Sequence, residues 1–100
     1  MRKVMQYKHE YGMELEKLIS TIGHNKNKNL MREFLFDILS PSEYRELAVR
    51  WQIIKMLKSN APHRDIAKKL KTSVATVTRG SRELGNKKGG FNQVWALFYS

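Results

Sequence analysis

An all-α protein is expected from three observations. Apolar residues recur at spacings of three and four along most of the chain, and no alternating run is long enough to suggest a sheet. Cysteine is absent, so packing must hold the fold, with no disulfide framework or thiolate metal site available. One hundred residues make a single domain with a modest core, for which a second copy of the chain would relieve a shortage of buried surface.

The elements follow in order. Residues 1–12, MRKVMQYKHEYG, read as a mobile arm, and they lack the apolar centre of a signal peptide. Met13, Leu15, Leu18, Ile19 and Ile22 mark a first helix that Gly23 should stop, and His24 to Asn29 form a polar connection. Leu30, Met31, Phe34, Leu35, Ile38 and Leu39 make a second helix. A third starts at Ser40-Pro41-Ser42-Glu43, with Ser40 as N-cap, Pro41 in the first helical position and Glu43 placed for a capping box. It should run to about Lys58. Leu47, Val49, Trp51, Ile53, Ile54, Met56 and Leu57 cover much of its circumference, which in so short a chain predicts burial between subunits. No run approaches the eighteen or so apolar residues of a membrane span, and a cytoplasmic protein is expected.

After a turn at Asn60, Ala61 and Pro62, residues 63–84 carry the densest information. Ile66, Ala67 and Leu70 recur at helical spacing, Lys71, Thr72 and Ser73 interrupt, and Val74 with Val77 start a second stripe. Small Ala67 lets two helices approach closely. The second helix then exposes Ala75, Thr76, Thr78, Arg79 and Arg82, short polar groups, a methyl and guanidinium forks of the kind that read base edges and phosphates. This is the pattern of a DNA-binding helix-turn-helix at 62–84, although a plain helical hairpin shares it. GNKKGG at 85–90 reads as a flexible hinge, and Phe91, Val94, Trp95 and Phe98 mark a last helix. The dimer core is assigned to 13–58 and 91–100.

Charge agrees with the nucleic-acid reading. Of a net +10, residues 58–88 contribute +7, from nine Lys or Arg against Asp65 and Glu83. Basic charge concentrated on a helix-turn-helix is the footprint of phosphate binding. No long basic amphipathic helix favours a membrane surface instead. His9, His24 and His63 are scattered, without metal or nucleophile geometry, so no catalytic residue, metal site or cofactor is expected.

ATVTRGSREL after a short helix, LSPSE before a long one, and a total of six helices together resemble the tryptophan operon repressor family over residues 30–84. The most specific pieces are Thr78-Arg79-Gly80-Ser81, Leu39-Ser40-Pro41 and Arg50. The resemblance implies an intertwined six-helix homodimer that binds L-tryptophan as corepressor and then a palindromic operator in double-stranded DNA. It implies that Arg50 and Arg79 sandwich the indole, Arg79 also pairing the carboxylate. Ser40 resembles a threonine that touches this carboxylate, and the Leu39 carbonyl one that accepts the ligand ammonium. Gly80 resembles the position over which the indole lies. Glu83 stands where the best-known members have a serine near the ammonium, and Lys71 where a turn glycine is common, so Lys71 must adopt a left-handed conformation or the turn must differ. The segment from Arg50 to Arg64 is about one residue shorter.

By the same match, Val74, Ala75, Thr76 and Thr78 enter the major groove, the docking already known for helix-turn-helix proteins that include the tryptophan repressor itself. His63 and Arg64 reach phosphates or a base edge, and Lys68 and Arg82 add charge on the same two helices. Other readings of these features are a regulator of the same fold that answers another ligand or none, a non-specific nucleic-acid-binding protein, and a helical module that docks a protein through Phe91, Val94, Trp95 and Phe98.

Overall fold

The computed structural model describes residues 11–99, which form six α-helices and no strand. Most of the expected arm at 1–12, His9 included, lies outside the described residues, while Gly12 already opens the first helix. The chain divides into two compact units, Met1–Ser40 and Pro41–Ser100.

The first unit contains α1 (Gly12–His24) and α2 (Lys28–Ile38). Leu15, Leu18, Ile19 and Ile22 line one face of α1, and Met31, Phe34, Leu35 and Ile38 one face of α2, yet neither helix has a buried residue. Gly23 does not stop α1; it lies inside the last turn. A glycine there costs only about 1 kcal/mol. The end carbonyls find partners just beyond it, as His24 Nδ1 meets the Ser20 carbonyl at 2.7 Å and the Asn25 amide donates to Ile22 at 3.3 Å. Asn27 then caps α2, its Oδ1 accepting from the Leu30 amide at 3.1 Å. The polar connection therefore shrinks to residues 25–27.

The second unit contains α3 (Pro41–Lys58), α4 (His63–Leu70), α5 (Val74–Leu84) and α6 (Gly90–Phe98). Pro41 begins α3, where its fixed φ and missing N–H cost nothing. Ile53, Ile66, Ala67 and Val77 form the buried core, with Val49, Met56, Leu57, Ala61 and Leu70 packed against it. Much of the apolar circumference of α3 is thus used within this unit. Ile53 and Ile54 are buried, while Trp51 lies 6.3 Å from Phe91, 6.2 Å from Trp95 and 5.4 Å edge-on from Tyr99, ring centre to ring centre. The Trp51 indole N–H donates to the Tyr99 hydroxyl at 3.1 Å. Leu47 remains exposed.

Both α3 and α4 end in the same way. Asn60 has φ 63° and Lys71 φ 55°. At the first, the Asn60 and Ala61 amides donate back to Leu57 and Met56; at the second, the Lys71 and Thr72 amides donate to Lys68 and Ala67. These are paired Schellman bonds, which satisfy end carbonyls by placing one residue in the left-handed region, usually glycine. Asparagine tolerates that region; for lysine it costs roughly 1–2 kcal/mol. The turn accordingly keeps the geometry that glycine would favour.

The flexible hinge expected at 85–90 is instead a hydrogen-bonded turn. Asn86 Oδ1 accepts from the Lys88 amide at 3.2 Å, the Gly89 amide donates to the Asn86 carbonyl at 2.9 Å, and Gln93 Nε2 donates to the Lys88 carbonyl at 2.7 Å. Gly89 is buried, and a Cβ there would stand 3.1 Å from both the carbonyl oxygen and Nδ2 of Asn86. Glycine serves close approach here rather than freedom of movement.

Candidate nucleic-acid interface and ligand site

Helix α5 is fixed on one side and free on the other. Val77 is fully buried among Ile53, Ile66 and Ala67. Ser73 caps the helix, its Oγ accepting from the Thr76 amide at 3.1 Å and lying 2.8 Å from Thr76 Oγ1. Such a cap contributes about 1 kcal/mol. Val74, expected to start the core stripe, is 49% exposed, and Ala75, Thr78, Arg79 and Arg82 are exposed with it. Val74 is the first residue of α5 and Val77 stands about one turn further on, and only the second is carried fully into the core.

Helix α4 presents its own start beside α5. His63 is its first residue, and its Nδ1 lies 3.4 Å from Thr78 Oγ1. Arg64 and Lys68 are exposed on the same helix, four residues apart and so on one face. The half-buried Thr76 has its hydroxyl engaged by Ser73, whereas Val74 and Ala75 offer methyl groups. Every candidate contact residue of the second unit therefore sits on α4 or α5, most of them exposed. In the sequence Ser73 belongs to the polar interruption, yet a serine just before the first apolar-periodic residue is also a cap signal.

The six residues proposed for a ligand fall in both units. Leu39 is the C-cap of α2, its amide donating to the Leu35 carbonyl at 3.0 Å, and Ser40 precedes α3. Arg50 lies on α3, with Arg79, Gly80 and half-buried Glu83 on α5. Arg50 Nη2 donates to Glu46 Oε1 at 2.8 Å in an i,i+4 pair whose side chains are about half exposed. A pair this exposed is worth little, typically about 0.3–0.5 kcal/mol, so Glu46 orients Arg50 without tying it down.

Gly80 also has a close neighbour within the protein. A Cβ there would stand 3.1 Å from Ile53 Cγ2 and 3.6 Å from both Ile54 Cδ1 and Leu57 Cδ1. The close approach at Gly80 is made by α3, and glycine lets α5 lie against it. Arg50 belongs to the same face of α3, one turn ahead of Ile53 and Ile54. The helix contact at Gly80 thus sets the separation of the two elements that carry Arg50 and Arg79.

Residues 13–97 match the model of the family described as Trp repressor protein. The chain is 44% identical over 54 residues to a Trp operon repressor homolog of Actinobacillus succinogenes, covering 53% of this chain and 54% of that one. It is 36% identical over 67 residues to the Trp operon repressor homolog of Haemophilus influenzae, 66% of each chain, and 41% identical over 51 residues to that of Pasteurella multocida, 50% of each. The aligned part spans about half to two thirds of these curated relatives. No solved structure matches the chain. A family match across residues 13–97, on a chain whose α4 and α5 pack as a capped helix pair against α3, places this protein in the Trp repressor family.

Proposed function

We propose that the chain is a transcriptional repressor that binds operator DNA as a homodimer and takes L-tryptophan as corepressor. One observation carries the reading: α5 is anchored by Val77 and Gly80 while Val74, Ala75, Thr78, Arg79 and Arg82 stay exposed on it. A helix already formed and anchored in this way can enter a major groove without paying again for its own folding. Val74 and Ala75 suit thymine methyl groups, and Thr78 suits base edges or bridging waters. Arg64, Lys68 and Arg82 neutralise phosphates, and His63 adds a contact at the start of α4.

Tryptophan fits the chemistry of the two arginines. A guanidinium plane stacks on an indole face, worth about 0.5–2 kcal/mol, and forks onto a carboxylate. In this reading Arg50 and Arg79 take opposite faces of the ring, and Arg79 pairs the carboxylate. Glu83 pairs the ammonium. A ligand held between Arg50 on α3 and Arg79 on α5 adds a further restraint on the angle of the recognition helix. Two-fold symmetry then sets both such helices about one DNA turn apart, roughly 34–36 Å, as established for dimeric helix-turn-helix proteins that include the tryptophan repressor. By linkage, operator and tryptophan raise each other's affinity by the same factor.

The test is selection of duplexes from a random pool by the purified protein with L-tryptophan. A two-fold-symmetric consensus with half-sites one turn apart is expected. Retention of duplexes without any enrichment would leave only a non-specific basic protein and refute the proposal.

A further inference from the structure

Four carbonyls at the C-terminal end of any helix lack intrahelical partners, and their fate decides how firmly that end is held. In α5 the Gly85 amide donates to the Ser81 and Arg82 carbonyls, and the Asn86 amide to that of Glu83. The last carbonyl, that of Leu84, is taken by a side chain from the next helix. Asn92 Nδ2 donates to it at 2.9 Å and to the Asn86 carbonyl at 2.9 Å. The other end of the same amide faces α3, with Asn92 Oδ1 accepting from Lys58 Nζ at 2.9 Å. Lys58 Nζ also lies 5.7 Å from the centre of the Trp95 ring.

We propose that Asn92 is a positioning residue for DNA binding, a clamp that fixes the C-terminal end of the recognition helix to the end of α3. The inference rests on the DNA-binding reading of α5. The half-buried Asn92 amide uses both its hydrogens and its oxygen, and each partner belongs to a different segment: α5, the 85–89 turn and α3. The turn is built to receive it. Gly89 allows the backbone to close over Asn86, which leaves the Asn86 carbonyl shared between the Gly89 amide and Asn92. Gly80 against Ile53 sets how closely α5 approaches α3, and the clamp sets its tilt by holding the far end. Base reading at Val74 and Ala75 depends on that tilt, since a small rotation at Leu84 is carried along the helix to its N-terminal end. Phosphate attraction, spread over flexible lysines and arginines, does not.

The experiment measures fluorescence anisotropy of wild-type and Asn92→Ala protein at fixed salt with saturating L-tryptophan. The probes are a duplex selected by the wild-type protein and a random-sequence duplex of equal length. Amide hydrogen exchange at Gly85 and Asn86 is followed in parallel without DNA. Affinity for the selected duplex should fall about tenfold, the scale of one or two lost hydrogen bonds, and affinity for the random duplex by less than about twofold. Exchange at Gly85 and Asn86 should quicken. Equal losses on both duplexes, or unchanged preference and unchanged exchange, would overturn the proposal. If Asn92→Ala does not fold, Lys58→Met opens the clamp at its α3 end and should weaken preference for the selected duplex by about threefold, with no loss counting against the clamp. A wild-type protein that fails to distinguish the duplexes refutes the operator-reading proposal itself, and the clamp is then decided by exchange alone.

Discussion

The two units treat their apolar residues in opposite ways. In Pro41–Ser100, Ile53, Ile54, Ile66, Ala67 and Val77 are buried, and three helices close a core around them. Among the described residues of Met1–Ser40, two helices have well-formed apolar faces and no fully buried residue: Met13 is 77% exposed and Ile19 52%. Periodicity of the same quality thus ends in a finished core in one unit and an unfinished one in the other. The second unit has the material for a DNA-reading module, and the first has the faces a dimer would cover.

The sharpest way to break this contrast is to truncate one residue of each kind. Ile66→Ala empties a site with no exposure, and such changes cost about 2–5 kcal/mol, so urea denaturation should show a large loss at every protein concentration. Ile19→Ala should produce a loss that fades as concentration rises, because it acts through association. Light scattering at micromolar concentration should report a dimer for the wild type; a mass near 11.7 kDa alone would remove the reason for the exposed faces.

Within the second unit, Arg79→Ala separates site from core. The exposed Arg79 is asked to stack on an indole and pair a carboxylate, so calorimetry should show tryptophan affinity falling on the order of 100-fold while the circular dichroism spectrum is unchanged. Gly80→Ala tests the packing beside it. The added methyl meets Ile53 Cγ2 at 3.1 Å, and Ile53, 1% exposed, has no room to retreat. Overpacking costs about 1–3 kcal/mol against a helix-propensity gain of about 1 kcal/mol, so a modest net destabilisation is expected in urea, with weaker tryptophan binding. The smallest effect belongs to Lys71→Gly. Relief of the left-handed φ of 55°, partly offset by the greater freedom of glycine in the unfolded chain, should raise the unfolding free energy by about 0.5–1 kcal/mol, read as a higher urea midpoint at unchanged slope.

Legibility in the sequence follows the same division. The starts of α3, α4 and α5 were readable because local chemistry sets them: proline at 41, a polar interruption at 71–73, apolar spacing on either side. Arg50 and Arg79 enter as ligand residues only through the family resemblance, while the basic character of α4 and α5 and the exposure of most of α5 follow from charge and spacing. The order of residues 85–90 was not, because three glycines and two lysines look like a linker and the side chains that fasten them, Asn92 and Gln93, lie on the next helix. Gly80 showed in the sequence that something comes close to α5 but not that Ile53 does. Val74 looked like core from spacing alone, and only the packing of α5 through Val77 assigns it to the surface.

Whether a ligand between α3 and α5 governs operator binding is decided by one titration. The selected duplex is titrated with protein at fixed salt, with and without L-tryptophan, and followed by anisotropy. Tighter binding with L-tryptophan is expected for the selected duplex and little change for a random one, because phosphate attraction is indifferent to the angle of α5. Equal affinity for the selected duplex in both titrations would contradict corepression by tryptophan.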